Sequence, residues 1–219
     1  MTQENTILSA IEPELADTIL ASRRDVFRKY AKRAGFLASA PLVLALASNQ
    51  AFGQALPQKV VDVLNFALTL EYLEAAFYDA GNKASGLIPG KYKTVFRTIG
   101  QHENAHVKLL QGALGSAAVA APGVDFTAGG KYADVFSNFD TFLTLSQTFE
   151  DLGVAAYKGQ AGNLIGSGEI LTVALQIHSV EARHASEVRR IGLKLGWDSA
   201  FDKPLSKAAV LKAATPFLA

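Results

Sequence analysis

Apolar positions along the chain fall into blocks with helical spacing. In "QKVVDVLNFALTLEYLEAAFYDAG", from Gln58, they recur at 60, 61, 64, 68, 73, 76 and 77. That spacing predicts an amphipathic helix, and Gly81 reads as its stop. "GLIPG" at 86–90 reads as a turn. A second helix is predicted from about Tyr92 to Leu114 with Gly115 as its stop, and a third from about Phe136 to Gln160. The fourth is expected to start near Ser167 as N-cap, with Glu169 favourable to the helix dipole in the first turn, and to end at Gly196. "SKAAVLKAA" at 206–214 predicts a short fifth helix, closed by Pro216.

The connections set the topology. Helices one and two have a short link, as do three and four, so each pair is an antiparallel hairpin. Residues 115–135 are small, Gly-rich and carry Pro122, and read as a long irregular crossover. The fold class is therefore all-α: a four-helix bundle of two hairpins with a long crossover, plus a short C-terminal helix.

The first 55 residues follow a different pattern. Ser22-Arg23-Arg24 precedes a stretch that is uncharged from Ala34 to Gln58 and rich in Ala, Ser and Gly. Charge, then a moderately apolar run, then small residues such as Gly53-Gln54-Ala55 is the layout of an export signal. Pro41 and the low hydrophobicity argue against a membrane anchor. The organisation read from the chain is a twin-arginine-type signal and leader at 1–55, a helical bundle at 56–200 and an extension with a short helix at 201–219. Export by the twin-arginine route to a periplasmic or extracellular location is expected, with membrane contact only through the signal segment.

Composition narrows the chemistry. The chain has 219 residues, 49% of them hydrophobic, and a formal net charge of +1, which gives no electrostatic footprint for nucleic acid. It has no cysteine, so disulfides, thiolate metal sites and cysteine nucleophiles are excluded. A metal would need His, Asp, Glu or backbone oxygen.

The two hairpins repeat one another. Laying Glu71 over Glu150 aligns "EYLEAAFY" with "EDLGVAAY", so that Leu73 meets Leu152, Ala76 meets Ala155 and Tyr78 meets Tyr157. Downstream, Glu103-x-x-His106 on helix two matches Glu181-x-x-His184 on helix four. Glu and His three apart share one helix face. At about 1.5 Å rise per residue, Glu71 and Glu103 lie at similar depths, roughly 15 and 20 Å from their common turn, and the same holds for Glu150 and Glu181. Four buried carboxylates at one level would be prohibitively costly without cations, and two divalent metals resolve that cost.

The same region contains "HENAHVKLL", an H-E-x-x-H match. In a zinc peptidase His102 and His106 would bind metal and Glu103 would be the general base. The residue matching His102 in the second half is Val180, so the repeat assigns Glu103 and His106 to the metal and leaves His102 incidental. Glu74, opposite Gly153, is read as an edge carboxylate, His178 as solvent-facing, and Arg183, Arg189, Arg190 and Lys194 as a solvated face.

"LTLEYLEAAFY", "HENAHVKLL", "FEDLGVAAY" and "VEARHASEV" resemble the ferritin-like superfamily over about residues 58–196. The exported branch with plant desiccation-related proteins is the most similar, and "FDKPLSKAAVLKAATPFLA" resembles its ending. The resemblance implies metal ligands at Glu71, Glu103, His106, Glu150, Glu181 and His184, with Glu103 and Glu181 bridging. It also implies that Tyr78 and Tyr157 hydrogen-bond ligand carboxylates. Two metal ions are expected, iron first and manganese as the alternative, because the ligands are oxygen and imidazole without sulfur. The expected function is redox chemistry on dioxygen or peroxide, ferroxidase or catalase-like. The alternatives are a stress- or desiccation-associated bundle whose metals are structural, and the zinc peptidase.

Overall fold

A computed structural model describes residues 56–219. Five α-helices carry the fold: α1 (Gln58–Lys83), α2 (Lys93–Leu114), α3 (Phe139–Ala161), α4 (Glu169–Ile191) and α5 (Lys207–Ala214). No strand forms among the described residues beyond an isolated bridge between Val124 and Leu218. No helix among them is long and apolar enough to cross a membrane. The signal segment read from the sequence lies outside the described residues.

The expected bundle is present. α1 packs along α2 and α3 along α4, joined by 84–92 and by 162–168, each holding one 3-10 turn. The crossover, 115–138, is irregular. An Asp125 turn organises it, the side chain accepting from the backbone N–H of Thr127 and Gly129. Phe126 and Val135 anchor it in the core.

Helix limits differ from the sequence reading where packing or turn chemistry overrides local signals. Gly81 does not stop α1. It lies inside the helix, and the Phe142 ring passing over it accounts for the missing side chain: a Cβ there would sit 2.2 Å from Phe142 Cε2. α3 starts at Phe139, not Phe136, since Asn138 takes the N-cap and accepts from Asp140 N–H at 3.0 Å. The residue before α4 is Gly168 at φ 56°, not Ser167, although Glu169 does lie in the first turn. α4 ends at Ile191 with Gly192 as its cap, short of Gly196, and Leu193 at φ 57° closes the turn.

Two apolar clusters divide the bundle. One gathers Phe77, Tyr78, Phe96, Phe142 and Phe149 with Val188, and receives Phe217 from the C-terminal turn. The other gathers Val60, Leu64, Leu68, Leu110, Ile170 and Ile177. On α1, α2 and α4 a polar layer falls between residues of the two clusters, and on α3 the polar residue sits among the cluster positions. α5 buries Val210 and Ala214. The segment before α5 crosses α3 at Gly159, where a Cβ would meet Leu205 O at 1.9 Å, and Leu205 N–H donates to Ala155 O.

Candidate metal centre

All four long helices feed the polar layer. Glu71 comes from α1, Glu103 and His106 from α2, Glu150 from α3, and Glu181 and His184 from α4. The four carboxylates have no exposed surface, and the two histidines are buried. The Glu-x-x-His spacing puts both members of each pair one turn apart, facing inward.

The six side chains form two overlapping groups. Glu71, Glu103, His106 and Glu181 offer ligand atoms all within 4.8 Å of one another, and so do Glu103, Glu150, Glu181 and His184. Glu103 and Glu181 belong to both. His106 Nδ1 lies 3.2 Å from Glu71 Oε2, 3.1 Å from Glu103 Oε2 and 3.1 Å from Glu181 Oε1. His184 Nδ1 lies 2.9 Å from Glu103 Oε1 and 3.3 Å from Glu150 Oε2.

The tyrosines cross between the halves. Tyr157 donates to Glu71 Oε1 at 2.5 Å, and Tyr78 donates to Glu150 Oε1. Each hydroxyl holds the outer oxygen of a carboxylate and leaves the inner one facing the centre. The sequence alignment of Tyr78 with Tyr157 thus corresponds to one hydrogen bond made twice.

The inner atoms decide whether a cation fits. Glu103 Oε1, Glu150 Oε2, both oxygens of Glu181 and Nδ1 of His184 are buried without a hydrogen-bond partner. His184 Nδ1 and Glu103 Oε1 are close but misaligned for a hydrogen bond. Native interiors rarely leave so many acceptors orphaned in one place. Converging oxygen and imidazole lone pairs are what hard or borderline divalent ions require, so the residues fit metal.

Protonation follows from the same crowding. Burial presses the Glu74 and Glu181 carboxyls well above the carboxylate range, and neighbouring carboxylates add to it. Burial also raises Glu103, against the pull of His106 and His184. Burial disfavours a charged His184, but contacts with Glu103 and Glu150 outweigh it and push the imidazole up to about 11. His106 is raised as well, burial again being overcome, here by Glu71, Glu103 and Glu181. Glu71 goes the other way: burial is outweighed by the His106 charge and by bonds from His106 and Tyr157.

Four side chains are placed differently from the sequence reading. Glu74 is not at the edge. It is 3% exposed and joins the carboxylate layer, because Gly153 leaves the room: a Cβ there would lie 3.2 Å from Glu74 Oε1 and 3.1 Å from Glu181 Oε2. The signal was available, since Glu74 stands where the other half has no side chain. His102 is not incidental: its Nδ1 lies 2.9 Å from His184 Nε2, and burial with the two neighbouring histidines holds its pKa below the ordinary value. His178 is half-buried, with Nε2 sealed and unpartnered, and burial depresses its pKa. Arg189 is not on a solvated face. It donates from Nε to Asp151 at 3.0 Å and pairs with Asp198 in a two-point contact.

A surface hollow lined by Thr94, Thr98, Arg183 and Glu187 reaches down to His184. A family model described as a ferritin-like domain matches residues 59–193 of the chain. None of the curated proteins matches it.

Proposed function

The chain belongs to the ferritin-like family, and on that premise we propose that its four helices hold two metal ions between them. Glu71 and His106 would complete one position and Glu150 and His184 the other, with Glu103 and Glu181 shared. The observation that carries this reading is the cluster of inward-facing oxygen and nitrogen atoms left without hydrogen bonds in a buried layer. Iron is the first choice and manganese the second, because the donors are carboxylate and imidazole with no sulfur.

We propose further that the centre works on dioxygen or peroxide, as a ferroxidase or in a catalase-like reaction. When bound, the two ions would supply the electrons in ferrous oxidation and would pass them from one peroxide molecule to another in the catalase-like reaction. The chain supplies the rest. Tyr78 and Tyr157 orient Glu150 and Glu71, and the apolar clusters on both sides keep bulk water out. Glu74 lies beside Glu181, where a carboxyl group can hold a proton close to the centre. Export by the twin-arginine route is part of the same proposal and is supported by Ser22-Arg23-Arg24. That route carries folded proteins and would allow loading before export. Kinship with desiccation-related proteins is supported by sequence resemblance alone.

Oxygen uptake separates redox work from a structural role. Ferrous iron added to metal-free protein is expected to be oxidised faster than in buffer, or added peroxide to be destroyed by the loaded protein. A protein that binds two ions yet does neither would favour the second reading, in which the metals offset the repulsion among buried carboxylates and hold the bundle together.

A further inference from the structure

We propose that His102 is a positioning residue for His184, fixing which ring nitrogen of His184 faces the metal position. The inference rests on the reading of the layer as a metal centre and deepens it. His184 Nδ1 points at Glu103 and Glu150, so Nδ1 must carry the free lone pair for a metal. The ring proton then belongs on Nε2. That nitrogen lies 2.9 Å from His102 Nδ1, with the two rings inclined by only 16° and their centroids 5.2 Å apart. His184 Nε2–H donates, and His102 Nδ1 accepts. The bond ties α4 to α2 outside the carboxylate layer. A partner on the far nitrogen of a metal-binding histidine holds the ring and raises its basicity, typically worth about 10–100-fold in metal affinity.

The pairing exists on one side only. Among the described residues no side chain hydrogen-bonds Nε2 of His106, and the position matching His102 in the second half is Val180. The two halves of the repeat therefore build inequivalent positions, and the one at His184 is the better supported. This also gives His102 of the H-E-x-x-H stretch a role without making it a ligand.

The test is a stepwise cobalt titration of the full chain, followed by its visible spectrum. His102→Ala is expected to weaken one of the two ions by about 10–100-fold and to leave the other unchanged. His102→Gln, whose carboxamide oxygen can accept the same N–H, should recover most of the loss. The position is assigned by combination. In a His106→Ala background the remaining tight ion should still respond to His102→Ala. In a His184→Ala background His102→Ala should change nothing. Thermal stability of the metal-free protein should fall by no more than the loss of one hydrogen bond in His102→Ala and recover in His102→Gln, which a packing role for the imidazole ring would not allow. Equal affinities in parent and His102→Ala, an equal loss at both ions, or a glutamine variant as weak as alanine would overturn the proposal. A parent that takes up no second ion would instead contradict the two-metal reading itself.

Discussion

Stripping the protein of metal is expected to lower its thermal midpoint by more than about 15 °C, and reloading is expected to release protons. Five carboxylates, Glu71, Glu74, Glu103, Glu150 and Glu181, are buried with two histidines in one layer. At a thousandfold excess over the dissociation constant, each ion that binds only the folded state adds about 4 kcal/mol. For a chain of this size each kcal/mol is worth about 2–4 °C. The protons follow from the pKa directions. In the metal-free protein His184 is raised to about 11 and His106 is raised too, so both rings are protonated at neutral pH. A metal needs both Nδ1 lone pairs, so loading should expel at least about two protons per chain, with more from Glu74 and Glu181 if these ionise. The sign is fixed. Affinity should rise with pH across the neutral range and fall as pH falls, by up to about a hundredfold per unit for the two ions together. Calorimetric scans with and without chelator measure the first effect, and titration in unbuffered solution the second. Unchanged melting with no proton release would contradict both.

Replacing Glu181 by methionine is expected to have opposite effects on the two forms. Glu181 is fully buried, neither of its oxygens has a hydrogen bond, and it belongs to both ligand groups. Without metal, burial and the neighbouring carboxylates hold its carboxyl well above the ordinary range, so it is a buried polar group without a hydrogen bond, and an apolar side chain there removes that cost. Methionine fills a similar volume and adapts to irregular space. Glu181→Met should therefore stabilise the metal-free protein by about 1–3 kcal/mol, the cost of a buried polar group left without a partner. With metal present, the variant should lose more than half of the stabilisation seen in the parent, because both positions lose a shared oxygen donor. Chemical unfolding with and without manganese resolves the two effects. A variant that is less stable without metal, and that gains as much from metal as the parent does, would remove Glu181 from the centre.

The bundle was legible in the sequence because its signals are long and repeated. Four blocks of helical spacing, two short links and one long one suffice for two hairpins, and the alignment of Glu71 with Glu150 carries the twofold pattern of the site. Positions that depend on what crosses from another helix were not legible. Gly81 looks like a helix stop in its own segment, and only the Phe142 ring shows that the glycine is there to make room. Glu74 looks like a surface acid until Gly153 is seen to leave it room. His102 has no counterpart in the repeat and looks incidental by that measure, yet the lack of a counterpart is what makes the two halves differ. Ser167 lost its cap to Gly168 because a glycine at φ 56° makes the turn into α4. In each case the residue's role is set by a partner on another element or by the turn itself, which its own segment does not show.

The most direct test of the central claim is anomalous diffraction from crystals of the manganese-loaded protein. Two peaks per chain are expected. One should lie between Glu71 and His106, the other between Glu150 and His184, and both should be within bonding reach of Glu103 and Glu181. His102 should contact only the far nitrogen of His184. A single peak, or a peak bonded to both His102 and His106, would contradict the two-metal centre and return the H-E-x-x-H stretch to its peptidase reading.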